Sequence, residues 1–274
     1  MPYVENDGAR IWWEEQGSGE PILLIMGLSF TLDMWHRTAP ALAPRYRLIL
    51  FDNRGVGRSG VPRGPYWIPR MARDARAVLD SAGVQNAHLI GASMGGMIAQ
   101  EFTLRWPERV RSLVLACSTC GGPRAHLPRI TEFFSRPEWN RFRPEDRIRA
   151  FNPLLYAAGT PDDLIEEDTA IRLRWVPTFR GYRNQILGLI CWSSYRRLPR
   201  ISCPTLVIHG DSDLILPPQN ALTLARRIPN ARRVILPSAG HMFSTDQPTL
   251  AHRALFDFLD SLPGPSTSPR TALP

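Results

Sequence analysis

The stretch Gly91-Ala92-Ser93-Met94-Gly95 joins a run of strand formers to a run of helix formers. Small residues suit a tight turn, and the same turn can hold a serine hydroxyl where it attacks a carbonyl carbon. Serine is a weak nucleophile at neutral pH. It needs a general base within hydrogen-bond reach, and the base needs an orienting acid. Six histidines are available for the base: His36, His88, His126, His209, His241 and His252. Composition narrows the other chemistries. The 274 residues contain no lysine, so there is neither a Schiff-base lysine nor a phosphate-loop lysine. Cys117 and Cys120 form a C-x-x-C without a second pair or nearby histidines, and the pair does not open a helix. It reads as packing rather than zinc or redox chemistry. No group of His, Cys and carboxylates has metal-ligand spacing, so neither a metal nor a cofactor is expected.

The formal net charge of +8 is carried entirely by arginines spread over many segments. A nucleic-acid binder would gather them into one footprint, so no nucleic-acid partner is expected. No apolar run approaches the roughly 18 residues of a membrane span. The opening MPYVENDGAR has neither the basic nor the apolar region of a signal peptide, which points to a cytoplasmic protein. The four cysteines are too few and too scattered for a disulfide scaffold.

Elements that must position Ser93 follow from the patterning. Asn6-Asp7-Gly8 is a hairpin turn between YV and RIWWEEQ. Short apolar runs predict buried strands at 21–27, 46–52, 87–91, 112–117, 205–210 and 232–237. Helical spacing of Met71, Ala75, Val78, Leu79 and Ala82 predicts a helix over 69–83, stopped by Gly83. Further helices are predicted over 94–105, 218–227 and 248–262. Such alternation argues for a mostly parallel sheet with helices on both faces, an α/β fold. Residues 122–200 break the rhythm with helical stretches and no strand, as a lid set over the sheet would. Thr160, Pro161 and Asp163 read as N-cap, N1 and N3 of one of its helices. Its aromatics include Phe133, Phe134, Trp139, Phe142, Tyr156, Trp175, Phe179, Tyr182 and Trp192. The expected organisation is a core of 1–121 and 201–262, a helical lid over 122–200, and a Pro/Ser/Thr-rich, disordered tail over 263–274.

In its strand–turn–helix setting, G-x-S-x-G resembles the nucleophile elbow of the α/β-hydrolase superfamily. HGDSDLILP (209–217) resembles that family's acid loop, and SAGHMFSTDQP (238–248) its histidine loop. FDNRGVGRS (51–59) resembles its D-x-R-G-x-G-x-S loop, and RWPERV (105–110) the exit from its nucleophile helix. The resemblance covers nearly the whole chain outside the lid and tail. It is nearest to 3-oxoadipate enol-lactonases, cofactor-free haloperoxidase-like esterases and polyketide methylesterases. It implies an eight-stranded, mostly parallel sheet with a lid inserted after strand 6.

Carried over residue by residue, the resemblance implies Ser93 as nucleophile, Asp213 as acid and His241 as base. Asp211 is the alternative acid, with turn capping as its other role. The oxyanion donors would be the backbone N–H groups of Met94 and Leu28. Many relatives carry His-Gly where this chain has Met26-Gly27, a change of side chain that leaves the backbone donor in place. The implied activity is hydrolysis of a small to medium carboxylic ester or lactone through an acyl-enzyme. The same constellation also fits a carbon–carbon bond hydrolase, a perhydrolase, or a non-catalytic binding protein on the same fold.

Overall fold

Asp7 and Gly8, both at positive φ (47° and 71°), close the hairpin between β1 (Tyr3–Asn6) and β2 (Ala9–Gln16). Positive φ at both central residues gives a two-residue turn the twist that matches its strands. β2 then pairs antiparallel with β4 (Tyr46–Phe51), and every later pairing is parallel. The remaining strands are β3 (Glu20–Ile25), β5 (Ala87–Ala92), β6 (Val110–Ala116), β7 (Thr205–Gly210) and β8 (Ala231–Leu236). The sheet has eight strands in the order β1-β2-β4-β3-β5-β6-β7-β8.

The computed structural model describes residues 3–127 and 143–263. Phe133, Phe134, Trp139 and Phe142, and the tail from 264 onward, lie outside the described residues.

The central strands read as unbroken apolar runs because both of their faces are covered. Leu23, Ile25, Leu89, Leu113 and Leu115 belong to one core. Their neighbours Ile22, Leu24, Ile90, Val114 and Ala116 belong to the other. The first core is closed by α1 (Ile68–Ser81), α2 (Met94–Arg105) and Ala221 and Leu224 of a helix over Gln219–Arg227. The second is closed by Ala251, Leu255 and Phe258 of the helix over Pro248–Asp260. α1 ends as its sequence requires. Gly83, at φ 67°, donates to Asp80 O at 3.1 Å, and Val84 N–H reaches back to Leu79 O at 2.9 Å.

Between β6 and β7 the described chain contains no strand and is largely helical. α3 (Pro144–Ala150), a short turn over Asn152–Leu155, α4 (Asp162–Arg174) and α5 (Phe179–Ile190) follow one another. The helix start expected at Thr160 is shifted by one residue. Pro161 stands at the N-cap of α4, and the Thr160 hydroxyl bonds Ala157 O (2.9 Å) and Asp246 Oδ1 (2.7 Å) instead. A tertiary carboxylate has displaced the helix as partner of that hydroxyl. Asp168, fully buried on α4, ties the insertion to the core. It accepts from His36 Nε2 (2.8 Å), Arg37 Nη2 (3.2 Å), Tyr156 Oη (3.1 Å) and Thr245 Oγ1 (2.6 Å).

Candidate active site

The chemistry-bearing loops all leave the carboxyl ends of parallel strands, where open α/β sheets place their ligand crevices. Ser93 follows β5 and stands at φ 55°, ψ −119°, as the N-cap of α2. That conformation is costly for a residue with a Cβ and is held by the surroundings. Ser93 N–H donates to Ala116 O (2.8 Å), and Ser118 Oγ donates to Ser93 O (2.8 Å). Space explains the glycines. A Cβ on Gly95 would overlap Ile25 O, and one on Gly91 would overlap Gly95 O. A Cβ on Gly27 would stand 3.0 Å from Ser93 Cβ, so the loop after β3 passes directly beside the serine.

Two backbone N–H groups are the expected oxyanion donors. Met94 is the first residue of α2, where an N–H has no intrahelical partner. Neither the Met94 nor the Leu28 N–H has a hydrogen-bond partner among the described residues. Leu28 lines the same cavity as Ser93. The two expected donors are thus unpartnered, one next to the serine in the chain and the other in the wall of the same cavity.

His241 sits in the loop after β8 and is clamped on both sides. Gly240 N–H donates to Asp246 Oδ2 at 2.6 Å, and Met242 N–H donates to Leu155 O of the insertion at 2.9 Å. His241 Nδ1 lies 2.8 Å from Asp213 Oδ2. With a carboxylate there, Nδ1 carries the proton and Nε2 is left as the acceptor. Ser93 and His241 line one cavity, and no hydrogen bond joins them among the described residues. Such contacts commonly close only when substrate is bound.

Of the two carboxylates in the acid loop, Asp213 is buried and Asp211 is exposed. Asp213 Oδ1 accepts from the N–H groups of Ile215 (2.9 Å) and Leu216 (2.8 Å). Asp211 instead accepts from Ser212 Oγ at 2.7 Å. Burial would raise the Asp213 carboxyl, but His241 and His209 outweigh it and hold the group well below the ordinary carboxylate range.

His209 was legible only as a strand residue, yet it belongs to this site. It is fully buried, with Nε2 2.7 Å from Leu216 O and 3.2 Å from Asp213 Oδ2. Two imidazoles therefore lie beside one carboxylate oxygen. Cys117 closes the group: donor atoms of Cys117, His209 and Asp213 all lie within 4.8 Å of one another. Sequence spacing gave no sign of this cluster, which tertiary contact assembles. Its chemistry is that of hydrogen bonding. Burial first, and then the Asp213 charge, push the Cys117 thiol well above its usual value, so it stays protonated. His209 Nε2–H is committed to Leu216 O, because a carbonyl only accepts.

The cavity has a volume of about 430 Å³. Its floor is Gly27, Leu28, Ser93 and His241, and its roof comes from the insertion, including Ile148, Phe151, Val176 and Ile186. The lining is mostly apolar. Arg147 and Arg172 are its charged residues, and among the described residues no carboxylate lines it. Arg172 is held by Asn152 Oδ1 (2.7 Å) and Ile148 O (3.2 Å), beside the Phe30 ring.

Comparison with known proteins bears on the fold and the family. A family model described as alpha/beta hydrolase fold matches residues 20–248. A protein of Azorhizobium caulinodans, provisionally named carbamate hydrolase RutD, is 35% identical over 263 residues, covering 94% of this chain and 98% of its own. A poly(3-hydroxyalkanoate) depolymerase of Ectopseudomonas oleovorans is 32% identical over 229 residues, covering 81% of this chain and 78% of its own. Among solved structures, the enol-lactonase of Burkholderia xenovorans LB400 superposes with a TM-score of 0.83 at 25% identity, covering 94% of this chain and 100% of that one. Among the described residues no helix is long and apolar enough to cross a membrane. The elbow, the sheet order and these matches lead to one conclusion: the chain belongs to the α/β-hydrolase fold family and is an enzyme of the hydrolase type.

Proposed function

We propose that the protein is a serine hydrolase of small to medium carboxylic esters or lactones, working through an acyl-enzyme. Ser93 Oγ attacks the carbonyl carbon and passes its proton to His241 Nε2. The developing oxyanion is met by the Leu28 and Met94 N–H groups. Collapse breaks the bond to the leaving oxygen, which takes the proton from His241. Water then gives a proton to the same imidazole and attacks the acyl carbon; the bond to Ser93 Oγ breaks, His241 returns the proton to Ser93, and the acid departs. Asp213 holds the ring in the required tautomer and stabilises it when charged. The segment over 122–200 acts as a lid, its described helices selecting the substrate, and a mostly apolar lining suits a substrate with a hydrocarbon body.

The observation that carries this reading is that Ser93 and His241 line one cavity while Asp213 engages His241 Nδ1 from behind. The test is a fluorophosphonate probe with a panel of p-nitrophenyl esters and lactones. The parent should gain the probe's mass on Ser93. Ser93→Ala should remain unlabelled, with kcat/KM lowered by about 10³-fold or more. A folded Ser93→Ala variant within about tenfold of the parent would overturn the serine mechanism.

A further inference from the structure

The Leu28 N–H belongs to a loop, residues 26–30, that lies outside any strand or helix. Something must hold that loop for its N–H to point anywhere in particular. The residue after Leu28, Ser29, stands at φ 65°, a region that residues with a Cβ enter at a cost of about 1 kcal/mol or more. Within the loop itself only one weak turn bond is formed, from Phe30 N–H to Gly27 O at 3.4 Å. Left alone, Ser29 would relax to negative φ. That rotation would swing the peptide plane between Leu28 and Ser29 and carry the Leu28 backbone with it.

The restraint comes from the insertion. Gln185 on α5 is fully buried, and its Oε1 accepts the Ser29 N–H at 2.9 Å. Its Nε2 donates to Arg54 O at 3.0 Å. Bonded at both ends, the amide has one orientation only. At the start of the loop, Asn53 Nδ2 donates to Met26 O at 2.8 Å.

The helix behind Gln185 is itself fixed to the core. A Cβ on Gly181 would overlap Gly55 O, and a Cβ on Gly188 would overlap Tyr66 O. Between them, Tyr66 N–H donates to Asn184 O at 2.9 Å. Two glycines about two helical turns apart let α5 lie directly on the backbone of the core loops. Gln185 lies between them, on a helix whose contact distance is set by backbone rather than by flexible side chains.

We propose that Gln185 is a positioning residue for the reaction: α5 of the insertion sets the loop that carries the Leu28 oxyanion donor, through the Gln185 Oε1 to Ser29 N–H bond. The insertion then does two things, covering the cavity and holding part of the machinery beneath it. This inference rests on the serine-hydrolase reading above.

The test compares three proteins with the same ester. Gln185→Met keeps volume and removes both bonds. Gln185→Glu can restore both, because a buried neutral carboxyl donates through O–H to Arg54 O and accepts through C=O from Ser29 N–H. Removing an oxyanion donor outright costs about 10²–10³ in kcat, and a displaced donor retains part of its effect. Gln185→Met should therefore lower kcat about 10–100-fold with KM within about threefold. Inhibition by an alkylboronic acid, whose tetrahedral adduct mimics the intermediate, should weaken by a similar factor. Gln185→Glu should recover most of the kcat. Thermal melts establish that each variant is folded. If Gln185→Met does not fold, Gln185→Asn, one methylene too short to reach Ser29, takes its place.

A folded variant with unchanged kcat, or with raised KM alone, overturns the positioning role and leaves the serine mechanism standing. A parent that shows no fluorophosphonate adduct on Ser93 overturns the serine mechanism, and this inference with it.

Discussion

Asp213 is buried, and its oxygens accept two backbone N–H groups and the His241 N–H, with the His209 ring 3.2 Å from Oδ2. Asp213→Asn should lower kcat by about 10⁴, because an amide can offer an N–H to His241 and favour the wrong tautomer. Asp211→Asn should stay within about threefold of the parent, since Asp211 is exposed and bonded to Ser212. Steady-state kinetics on the two folded variants checks the order. The same carboxylate makes a claim on stability. Its folded pKa is depressed, so its contribution is present above the unfolded value of about 4 and is lost as pH falls through the folded one. The gap in urea midpoint between the parent and Asp213→Asn should be widest near neutrality and should narrow below about pH 4. Ser93, Asp213 and His241 were legible because each lies in a short motif with local turn chemistry. His209 and Gln185 were not. One reads as a strand residue and the other as a residue of a helix far along the chain, and only tertiary contact reveals what they touch.

The turn from β5 into α2 is where backbone meets backbone most closely. Gly95 is required because the Ile25 carbonyl of the neighbouring strand occupies the place of its Cβ. Gly95→Ala should cost about 3 kcal/mol, the upper end for overpacking, since rigid backbone has to give way. The check is a fall in urea midpoint together with loss of activity; an unchanged midpoint would mean that β3 and α2 can separate at no cost. At this scale the sequence was read well where periodicity and stop signals are local, as in α1 with Gly83. It was misread at Thr160, where Asp246, 86 residues away, takes the hydroxyl that a helix start would use. The loop motif at 51–59 shows the same limit. Arg54 belongs to that motif, but its partner, the buried Asp74 at 2.5 Å, sits mid-helix in α1 and carries no local signal.

Across the whole molecule, the sheet was legible from its strands because burial on both faces leaves a plain apolar signature. The cavity was not, since its walls come from loops and insertion helices distant in sequence. Its charge could not be read from the net +8, which is spread over the surface and paired in many places. Only the fold shows that Arg147 and Arg172 face an otherwise apolar chamber with no carboxylate in its described lining, while the Asp168 charge, outside that lining, acts on Arg172. For an ester substrate this makes entry and exit unequal. A neutral molecule arrives, and an anion must leave past two fixed guanidinium charges that cannot be titrated away. Product acid should therefore accumulate on the enzyme: progress curves should bend before the ester is exhausted, and added product acid should inhibit competitively while the alcohol does not. Replacing Arg147 with Met should relieve that inhibition several-fold, as read from the inhibition constant of the acid. Where the parting of opposite charges limits turnover, salt should speed it under product-laden conditions by weakening the hold of the half-buried Arg147 more than that of the buried Arg172.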